Sequence, residues 1–369
     1  MAEFTVTPWE VSGDIDYDKL VKQFGTQVIS EELLEKLKKP LPALIRRGWY
    51  FSHRDLDKFV NAHAQGKKVS IVSGRGPSQK MHIGHLVPFL VAKYFQDAYD
   101  CNVYLPISDD EKYFVKPNLS FDDAEKHAQE NILDLIALGF NPKKTKIHRD
   151  FEYTKIYKYA AKIAKHTTYS TAKAIFGLKP EQNIGWSFYP AIQSAHILLP
   201  QFLEGPHTTL VPVAIDQDPY MRVVRDTAEH PEIKLIKPGA IHAKFLPALG
   251  GTGKASSSSS QDHMIWLSDS EKEVKTKINK YAFSGGQSTV EEHRKKGGNP
   301  AIDIAYQLLT IFEDDDKKLK KIHDDYKSGV LLTGELKQLA STTISSFLER
   351  HQKNRLKAEK QVDQFMMRE

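Results

Sequence analysis

Two histidines on either side of a glycine are the residues of this sequence best suited to chemistry on a phosphate. They end the run Gly74-Arg75-Gly76-Pro77-Ser78-Gln79-Lys80-Met81-His82-Ile83-Gly84-His85. Imidazole N–H groups donate to phosphate oxygens, and glycines let backbone amides approach an anion at a helix N-terminus. A plain structural turn explains the first two glycines equally well, but not the paired imidazoles. The candidate nucleotide contacts are therefore Gly74, Arg75, Gly76, His82, Gly84 and His85.

The elements around this run must place it at the end of a strand. Residues 69–73 include three β-branched apolar residues and look like a strand, residues 86–99 have a helical apolar pattern, and residues 102–108 again look like a strand. Strand, helix and strand in alternation predict a parallel sheet covered by helices. A further strand at residues 209–215 returns the chain to that sheet. The sequence therefore predicts an α/β protein with a Rossmann-like nucleotide-binding domain.

Composition narrows the class of protein. The 369 residues are 40% hydrophobic and 27% charged, which is typical of a soluble globular protein of two or three domains. We expect a cytoplasmic protein without membrane contact, because no apolar run approaches a span and the first residues lack a signal-peptide pattern. The single cysteine, Cys101, predicts a buried small apolar residue. Histidines and carboxylates show no ligand spacing, so we expect no metal held by the protein, and Mg²⁺ only with a nucleotide.

The chain divides into three predicted parts. Residues 1–66 read as a helical extension, residues 67–266 as the Rossmann-like domain, and residues 267–369 as a set of helices. The serine run at residues 256–260 predicts a loop. The net charge of +5 permits contact with nucleic acid. Candidate phosphate contacts, or else solvated helix faces, are Arg46-Arg47, Lys67-Lys68, Lys143-Lys144, Arg294-Lys295-Lys296 and residues 350–360. The acidic run at residues 313–316 is expected to separate and cap helices.

Several longer motifs carry a resemblance to a known family. They are His82-Ile83-Gly84-His85, Asp109-Asp110-Glu111-Lys112-Tyr113, Pro190-Ala191-Ile192-Gln193, Ala214-Ile215-Asp216-Gln217-Asp218-Pro219-Tyr220, Ala282-Phe283-Ser284-Gly285-Gly286 and Glu291-Glu292-His293-Arg294. Nearly the whole chain resembles the tryptophanyl-tRNA synthetases of the eukaryotic and archaeal type, which are class I aminoacyl-tRNA synthetases. The resemblance implies ATP-dependent activation of tryptophan and its transfer to tryptophan tRNA. It also implies a homodimer formed through an inserted region at about residues 114–208, and an anticodon-binding domain at residues 267–369.

The resemblance also implies roles for single residues. His82, His85 and Lys254 match catalytic positions, and Ser256 and Ser257 match positions that contact ATP. The ammonium group of the amino acid calls for acceptors, and the family holds it with the residues that match Glu111, Gln193 and Gln217. The side chain of the bound amino acid would contact Val72, Pro106 and Met221.

Four of these positions differ from the family pattern. Members usually carry a tyrosine at Val72 and a glutamine at Pro106, which accept the indole N–H, and an aromatic residue at Met221. Their Lys-Met-Ser-x-Ser loop places its lysine where this chain has Ala255, with Lys254 one residue early. A buried indole N–H without an acceptor costs about 1–3 kcal/mol. Two alternatives to a working ligase therefore stay open: a divergent paralogue with weak or lost tryptophan activation that retains nucleotide or tRNA binding, and an enzyme that activates another amino acid.

Overall fold

The structure is a computed structural model that describes residues 5–6, 11–12, 15–251 and 261–368. The strands in these ranges are β1 (Thr5–Val6), β2 (Val11–Ser12), β3 (Gln27–Val28), β4 (Tyr50–Arg54), β5 (Val69–Val72), β6 (Asn102–Ile107), β7 (Thr145–Arg149), β8 (Thr208–Ala214) and β9 (Gly239–Ala243). The helices of the first half are α1 (Tyr17–Phe24), α2 (Glu31–Lys36), α3 (Ala43–Arg46), α4 (Leu56–Ala64), α5 (Ile83–Tyr99), α6 (Asp109–Val115), α7 (Phe121–Ala137) and α8 (Lys155–Ala164).

The helices of the second half are α9 (Tyr169–Phe176), α10 (Ile184–Glu204), α11 (Asp218–Ala228), α12 (Glu271–Tyr281), α13 (Val290–Lys296), α14 (Ile304–Phe312), α15 (Asp316–Lys327), α16 (Thr333–Ala358) and α17 (Val362–Phe365). Short 3₁₀ turns lie at Pro142–Lys144, Ile215–Gln217 and Gln261–His263. In the part of the chain that the structure describes, no helix combines the length and apolar character needed to cross a bilayer.

One seven-stranded sheet organises the molecule. Its order is β3-β4-β9-β8-β5-β6-β7, and the five strands from β9 to β7 run parallel to one another. The chain starts at β5, builds outward through β6 and β7, and then returns through β8 and β9 on the other side. The winding direction reverses between β5 and β8, and open parallel sheets bind ligands at the carboxyl ends of the strands beside such a switch point. The predicted α/β class is confirmed.

The parallel strands form where apolar residues cover both sheet faces. β5 is buried at every position, and β6 is buried from its second residue onward. The two longest apolar helices beside the sheet, α5 and α10, bury most of their residues. Strands covered on both sides read as continuous apolar runs, and this made β5, β6 and β8 recognisable in the sequence.

The sequence had predicted a helical extension over the first 66 residues, but the described part of this segment also holds strands of the main sheet. β4 pairs antiparallel with β9, and β3 pairs antiparallel with β4, so this segment extends the main sheet by two strands. The segment also contains helices, among them α2. Strands of two and five residues are too short to show a reliable alternation, and their pairing partner lies far away in sequence. Residues 27–54 thus contribute two strands to the main sheet.

The same segment also holds the C-terminal helices. Nε of Arg46 and Nε of Arg47 each donate to a carboxylate oxygen of Asp316 at 2.8 Å, and Nη1 of Arg47 donates to the carbonyl of Thr310 at 2.9 Å. This arginine pair therefore contacts protein and is not available to phosphate. The acidic run acts as expected in part: the side chain of Asp315 caps α15, while Asp316 takes the arginines.

Other predicted basic contacts are also occupied. Lys144 pairs with Asp100, Arg294 donates to the Gly329 carbonyl, and Arg355 pairs with Glu130. Arg355 lies in α16, whose apolar face packs on α12, α14 and α7. The expected bundle after residue 267 is present. The region proposed as an insertion, residues 114–208, is only partly separate, because its strand β7 pairs with β6 at the sheet edge.

Candidate functional site

A cavity of about 390 Å³ opens at the carboxyl ends of β5, β6 and β8, beside the switch point of the sheet. Cavities of this size hold small metabolites and cofactors. Its lining is Val72, Gly74, Arg75, Gly76, Ser78, His85, Pro106, Ser108, Glu111, Lys112, Tyr189, Gln193, His196, Ile197, Val211, Val213, Gln217 and Tyr220. The fold therefore gathers nucleotide-type and amino-acid-type contacts, predicted from distant motifs, around one space.

The paired histidines begin α5 with defined tautomers. The backbone N–H of Gly84 donates to Nδ1 of His82, and the backbone N–H of His82 donates to Nδ1 of His85, both at 3.1 Å. A ring nitrogen that accepts carries no hydrogen, so in each ring the hydrogen is on Nε2. Burial, and to a lesser extent the charge of Arg75, lowers the pKa of His82 to about 3. His82 is therefore a neutral donor at physiological pH.

The two histidines occupy different positions. His85 lines the cavity, whereas His82 is buried beneath it, and its ring lies against Trp266 with centroids 5.9 Å apart. Nε2 of His82 has no hydrogen-bond partner among the described residues. His85 is thus placed to touch a ligand in the cavity, while His82 caps the helix that carries it.

Gly74 and Gly76 are glycines because other residues come close to them. A Cβ on Gly74 would lie 2.8 Å from the ring of Pro106, and one on Gly76 would lie 2.0 Å from Oε2 of Glu111. The backbone between them bonds to β6, since N of Arg75 donates to the Pro106 carbonyl at 3.0 Å. Close approach of neighbouring elements, with no positive φ, is what excludes a side chain here.

Arg75 is not the plain surface arginine that the sequence allowed. It is half-buried and lines the cavity, and its Nε donates to the side chain of Asn131 on α7. Burial lowers its pKa to about 10, which leaves it charged at neutral pH. Nη2 is buried and has no hydrogen-bond partner among the described residues. An anion in the cavity would supply one.

The predicted head-group residues meet in the same cavity from three elements. Glu111 comes from α6, Gln193 from α10, and Gln217 from the turn before α11. Oε1 of Glu111 lies 2.5 Å from Nζ of Lys112, and Oε1 of Gln193 is buried without a partner among the described residues. Carboxylate and amide oxygens directed at one space form a receptor for an ammonium group.

Of the three residues predicted to contact the ligand side chain, two line the cavity and one does not. Val72 and Pro106 line the cavity, together with Val211 and Val213 of β8. Met221 lies in the apolar core between α10, α11 and the sheet and is absent from the cavity lining. Met221 was a candidate because it matches a family position that usually holds an aromatic residue; in this structure its side chain is part of the core.

Sequence reasoning missed a buried polar network behind the cavity. Nε2 of His196 lies 2.7 Å from Oδ1 of Asp150, which follows β7, and the backbone N–H of Asp150 donates to Oδ1 of Asp109 at 2.9 Å. His196 lines the cavity on α10, one helical turn after Gln193. The i, i+3 spacing from Gln193 was the available signal, because both side chains then share a helix face.

Burial sets the protonation of this network. Burial and the neighbouring Asp150 raise the pKa of Asp110 to about 9, so that Asp110 keeps its proton at neutral pH. Burial also raises the pKa of Asp150, and the hydrogen bond from Asp110 opposes that rise. Burial lowers the pKa of His196 to about 4, which makes its ring neutral. Two adjacent buried carboxyls cannot both ionise, so the pair shares a proton.

The same network gathers groups able to bind a metal, which the spacing of histidines in the sequence did not reveal. One donor atom from each of His148, Asp150 and His196 lies within 4.8 Å of the other two. His148 is fully buried, and neither ring nitrogen has a hydrogen-bond partner among the described residues. The three residues come from β7, the loop after it and α10, so no short motif could have shown the cluster. Lys254, Ala255, Ser256 and Ser257 lie outside the described residues.

The sheet order, the switch-point cavity and the helices after residue 267 together define an α/β protein of the Rossmann-like class. The profile of one family, tRNA synthetases class I (W and Y), matches residues 64–349. The chain belongs to this family.

The most similar relatives and structures are archaeal and eukaryotic. The chain is 49% identical over 369 residues to the tryptophan-tRNA ligase of Sulfurisphaera tokodaii, covering 98% of this chain and 95% of the relative. It is 46% identical to the ligase of Pyrococcus abyssi, covering 98% and 94%. The structure of tryptophanyl-tRNA synthetase from Giardia lamblia superposes with a TM-score of 0.88 at 32% identity and covers 96% of each chain. A tryptophan-bound Encephalitozoon cuniculi enzyme gives 0.88 at 33%, covering 97% of this chain and 99% of that one.

Proposed function

We propose that this protein is a tryptophan-tRNA ligase, which activates tryptophan with ATP and transfers it to tryptophan tRNA. The observation that carries this function is the single cavity in which His85 and Gly74 lie across from Glu111, Gln193 and Gln217. The curated relatives described above bear this ligase name over almost their full length.

The nucleotide half of the reaction needs donors for phosphate oxygens. A carboxylate oxygen of the amino acid attacks the α-phosphorus of ATP, the bond to the bridging oxygen breaks, and pyrophosphate leaves. Nε2–H of His85, the Arg75 guanidinium and the exposed backbone at Gly74 are positioned to hold those oxygens. Preorganised donors of this kind lower the barrier because they need no reorientation during the reaction. Mg²⁺ would enter with the phosphates.

The amino-acid half needs an ammonium receptor and a closed side-chain space. Glu111 supplies negative charge, Gln193 and Gln217 supply amide oxygens, and Val72 and Pro106 border an apolar space on the sheet side. Transfer to tRNA and dimerisation are proposed by family: tRNA contacts for the helices after residue 267, and the dimer contact for residues 114–208. Tyr169 and Ile184, large and exposed apolar residues, lie in that second region. A cytoplasmic location is proposed by family as well.

ATP–pyrophosphate exchange with each of the twenty amino acids tests the function. We expect exchange with tryptophan and charging of tryptophan tRNA. Exchange with a different amino acid would favour an enzyme of other specificity, and exchange with none would favour a divergent paralogue, the two alternatives raised by Val72 and Pro106. The names of the relatives and structures described above support neither alternative. Light scattering tests the dimer, since a monomer of about 42 kDa would contradict it.

A further inference from the structure

The cavity lacks the side chains that would be expected to accept an indole N–H at two positions. Val72 and Pro106 line it, and neither side chain has an acceptor atom. An indole buried against them would lose its hydrogen bond to water, at a cost that a selective site avoids. If tryptophan is the substrate, some other group must accept the hydrogen bond from the indole N–H.

Helix α10 presents three polar side chains to the cavity. Tyr189, Gln193 and His196 all line the cavity, and the spacings of four and three residues place them along one helix face, about 5 Å apart per turn. His196 therefore lies one turn beyond Gln193, on the side away from Tyr189. The same cavity is lined by Val72 and Pro106.

The imidazole of His196 can accept a hydrogen bond from a ligand. Its Nε2 is 2.7 Å from Oδ1 of Asp150, and a carboxylate there holds the ring hydrogen on Nε2. Nδ1 is then the ring nitrogen left to meet a ligand, with its lone pair free of hydrogen. Asp150 is itself fixed from behind, because its backbone N–H and that of Phe151 both donate to Oδ1 of Asp109.

We propose that His196 determines selectivity for tryptophan by accepting the indole N–H at Nδ1, with Asp150 as the residue that positions the ring and sets its tautomer. The proposal rests on the proposed function and adds a residue to it. It also assigns a purpose to the buried hydrogen bond between His196 and Asp150. The ligand-side partner is any aromatic bicycle with an N–H donor at the position of the indole nitrogen.

The test compares tryptophan with benzothienylalanine, in which sulfur replaces the N–H at nearly the same size. In pyrophosphate exchange by the unmodified protein, kcat/KM should favour tryptophan by about 10- to 100-fold, as expected for one buried hydrogen bond. His196→Leu should lower kcat/KM for tryptophan by that factor and leave benzothienylalanine nearly unchanged. The second substrate thus reports that the variant is folded and active.

Two further variants separate positioning from packing. In Asp150→Asn, the side-chain amide has the same size as the carboxylate but can donate to Nε2, and the ring hydrogen then moves to Nδ1. Because Nδ1 can no longer accept the indole N–H, this variant should also reduce the ratio of kcat/KM for tryptophan to that for benzothienylalanine. Ile197→Val, a neighbouring change in the cavity lining, should lower kcat/KM for both substrates alike and keep their ratio. A preference kept in His196→Leu overturns the role of His196, and one kept in Asp150→Asn overturns the positioning by Asp150.

Two other outcomes overturn the inference without touching the proposed function. Equal kcat/KM for the two substrates in the unmodified protein would show that the N–H is not read. One bound zinc per chain in purified active protein, lost in His148→Leu, would put a metal on Nε2 and a hydrogen on Nδ1, where it cannot accept. Failure of the unmodified protein to activate tryptophan at all would instead remove the function on which the inference rests.

Discussion

The backbone N–H of His82 donates to Nδ1 of His85, and the two rings lie with their centroids 3.4 Å apart. The backbone N–H of Gly84 donates to Nδ1 of His82 in the same way, so each histidine keeps its hydrogen on Nε2. The first turn of α5 thus presents a donor to the cavity without a positive charge on His82. The helix start is thus the part of the site whose tautomers are set by the backbone alone.

His85→Ala should remove that donor from the cavity. Loss of one preorganised donor typically costs about 10²- to 10³-fold in rate, so kcat for tryptophan-dependent pyrophosphate exchange should fall by that factor with little change in the KM for tryptophan. His323→Ala, at a half-exposed position of α15, is the control and should match the unmodified protein. A His85→Ala rate within threefold of the unmodified rate would exclude a role in phosphate binding.

Glu111→Gln should weaken amino-acid binding without removing volume. The change replaces a carboxylate that faces the cavity and pairs with Lys112 at 2.5 Å. A charge-assisted contact to an ammonium is lost, and the KM for tryptophan should rise about 10- to 100-fold while the KM for ATP changes little. Glu32→Gln, on the exposed face of α2, is the matched control. A rise confined to the KM for ATP would contradict the head-group role.

Gly76→Ala should disturb the same carboxylate through sterics. The new Cβ would lie 2.0 Å from Oε2 of Glu111 and 2.6 Å from Cε of Lys112, so both side chains must move. Tryptophan binding, measured by calorimetry, should weaken by about tenfold or more, with thermal melting little affected because the displaced groups are ends of flexible side chains. Gly334→Ala has open space and should leave binding unchanged. Normal affinity in Gly76→Ala would place Glu111 outside the receptor.

Asp316→Ala should loosen the contact between the first 66 residues and the C-terminal helices. Arg46 and Arg47 both lose their carboxylate partner, so the free energy of unfolding should fall by about 1 kcal/mol. This decrease should be smaller at high salt, because salt screens the ion pairs. Asp363→Ala breaks a pair in which both side chains are largely exposed, and should cost less than half as much. Equal losses in urea unfolding would mean that the arginine pair does not hold the helices.

Asp110→Asn should change how stability depends on pH. The folded-state pKa of Asp110 is raised from the model-peptide value of 3.8 to about 9. Between those values the folded protein binds the proton more tightly than the unfolded chain, so the Asp110 contribution to stability is complete below pH 3.8 and is lost as pH rises towards 9. The asparagine variant lacks this loss and should gain stability relative to the unmodified protein between pH 5 and pH 8.

Urea unfolding of both proteins at the two pH values measures this difference. Asp122→Asn, exposed in the first turn of α7, is the control and should show no such change in its relative stability. A relative stability of Asp110→Asn that falls as pH rises would contradict a protonated Asp110.

Sequence alone determined the elements whose residues follow a local pattern. β5, β6 and β8 are largely apolar runs because helices cover both faces of the sheet. The histidine turn and the residues Glu111, Gln193 and Gln217 were also found from their motifs. Their spacing is local, so it survives in the sequence without knowledge of the fold.

Only the tertiary structure decided what depends on contacts between distant segments. β3 and β4 join the sheet through β9, almost two hundred positions away, and Arg46 and Arg47 turn from candidate phosphate contacts into partners of Asp316. The network of His196 and Asp150 draws on a helix and a loop separated by 46 residues. Long-range pairing and burial leave no periodic trace along the chain, so the group placed to accept an indole N–H became visible only when the strand ends and α10 came together.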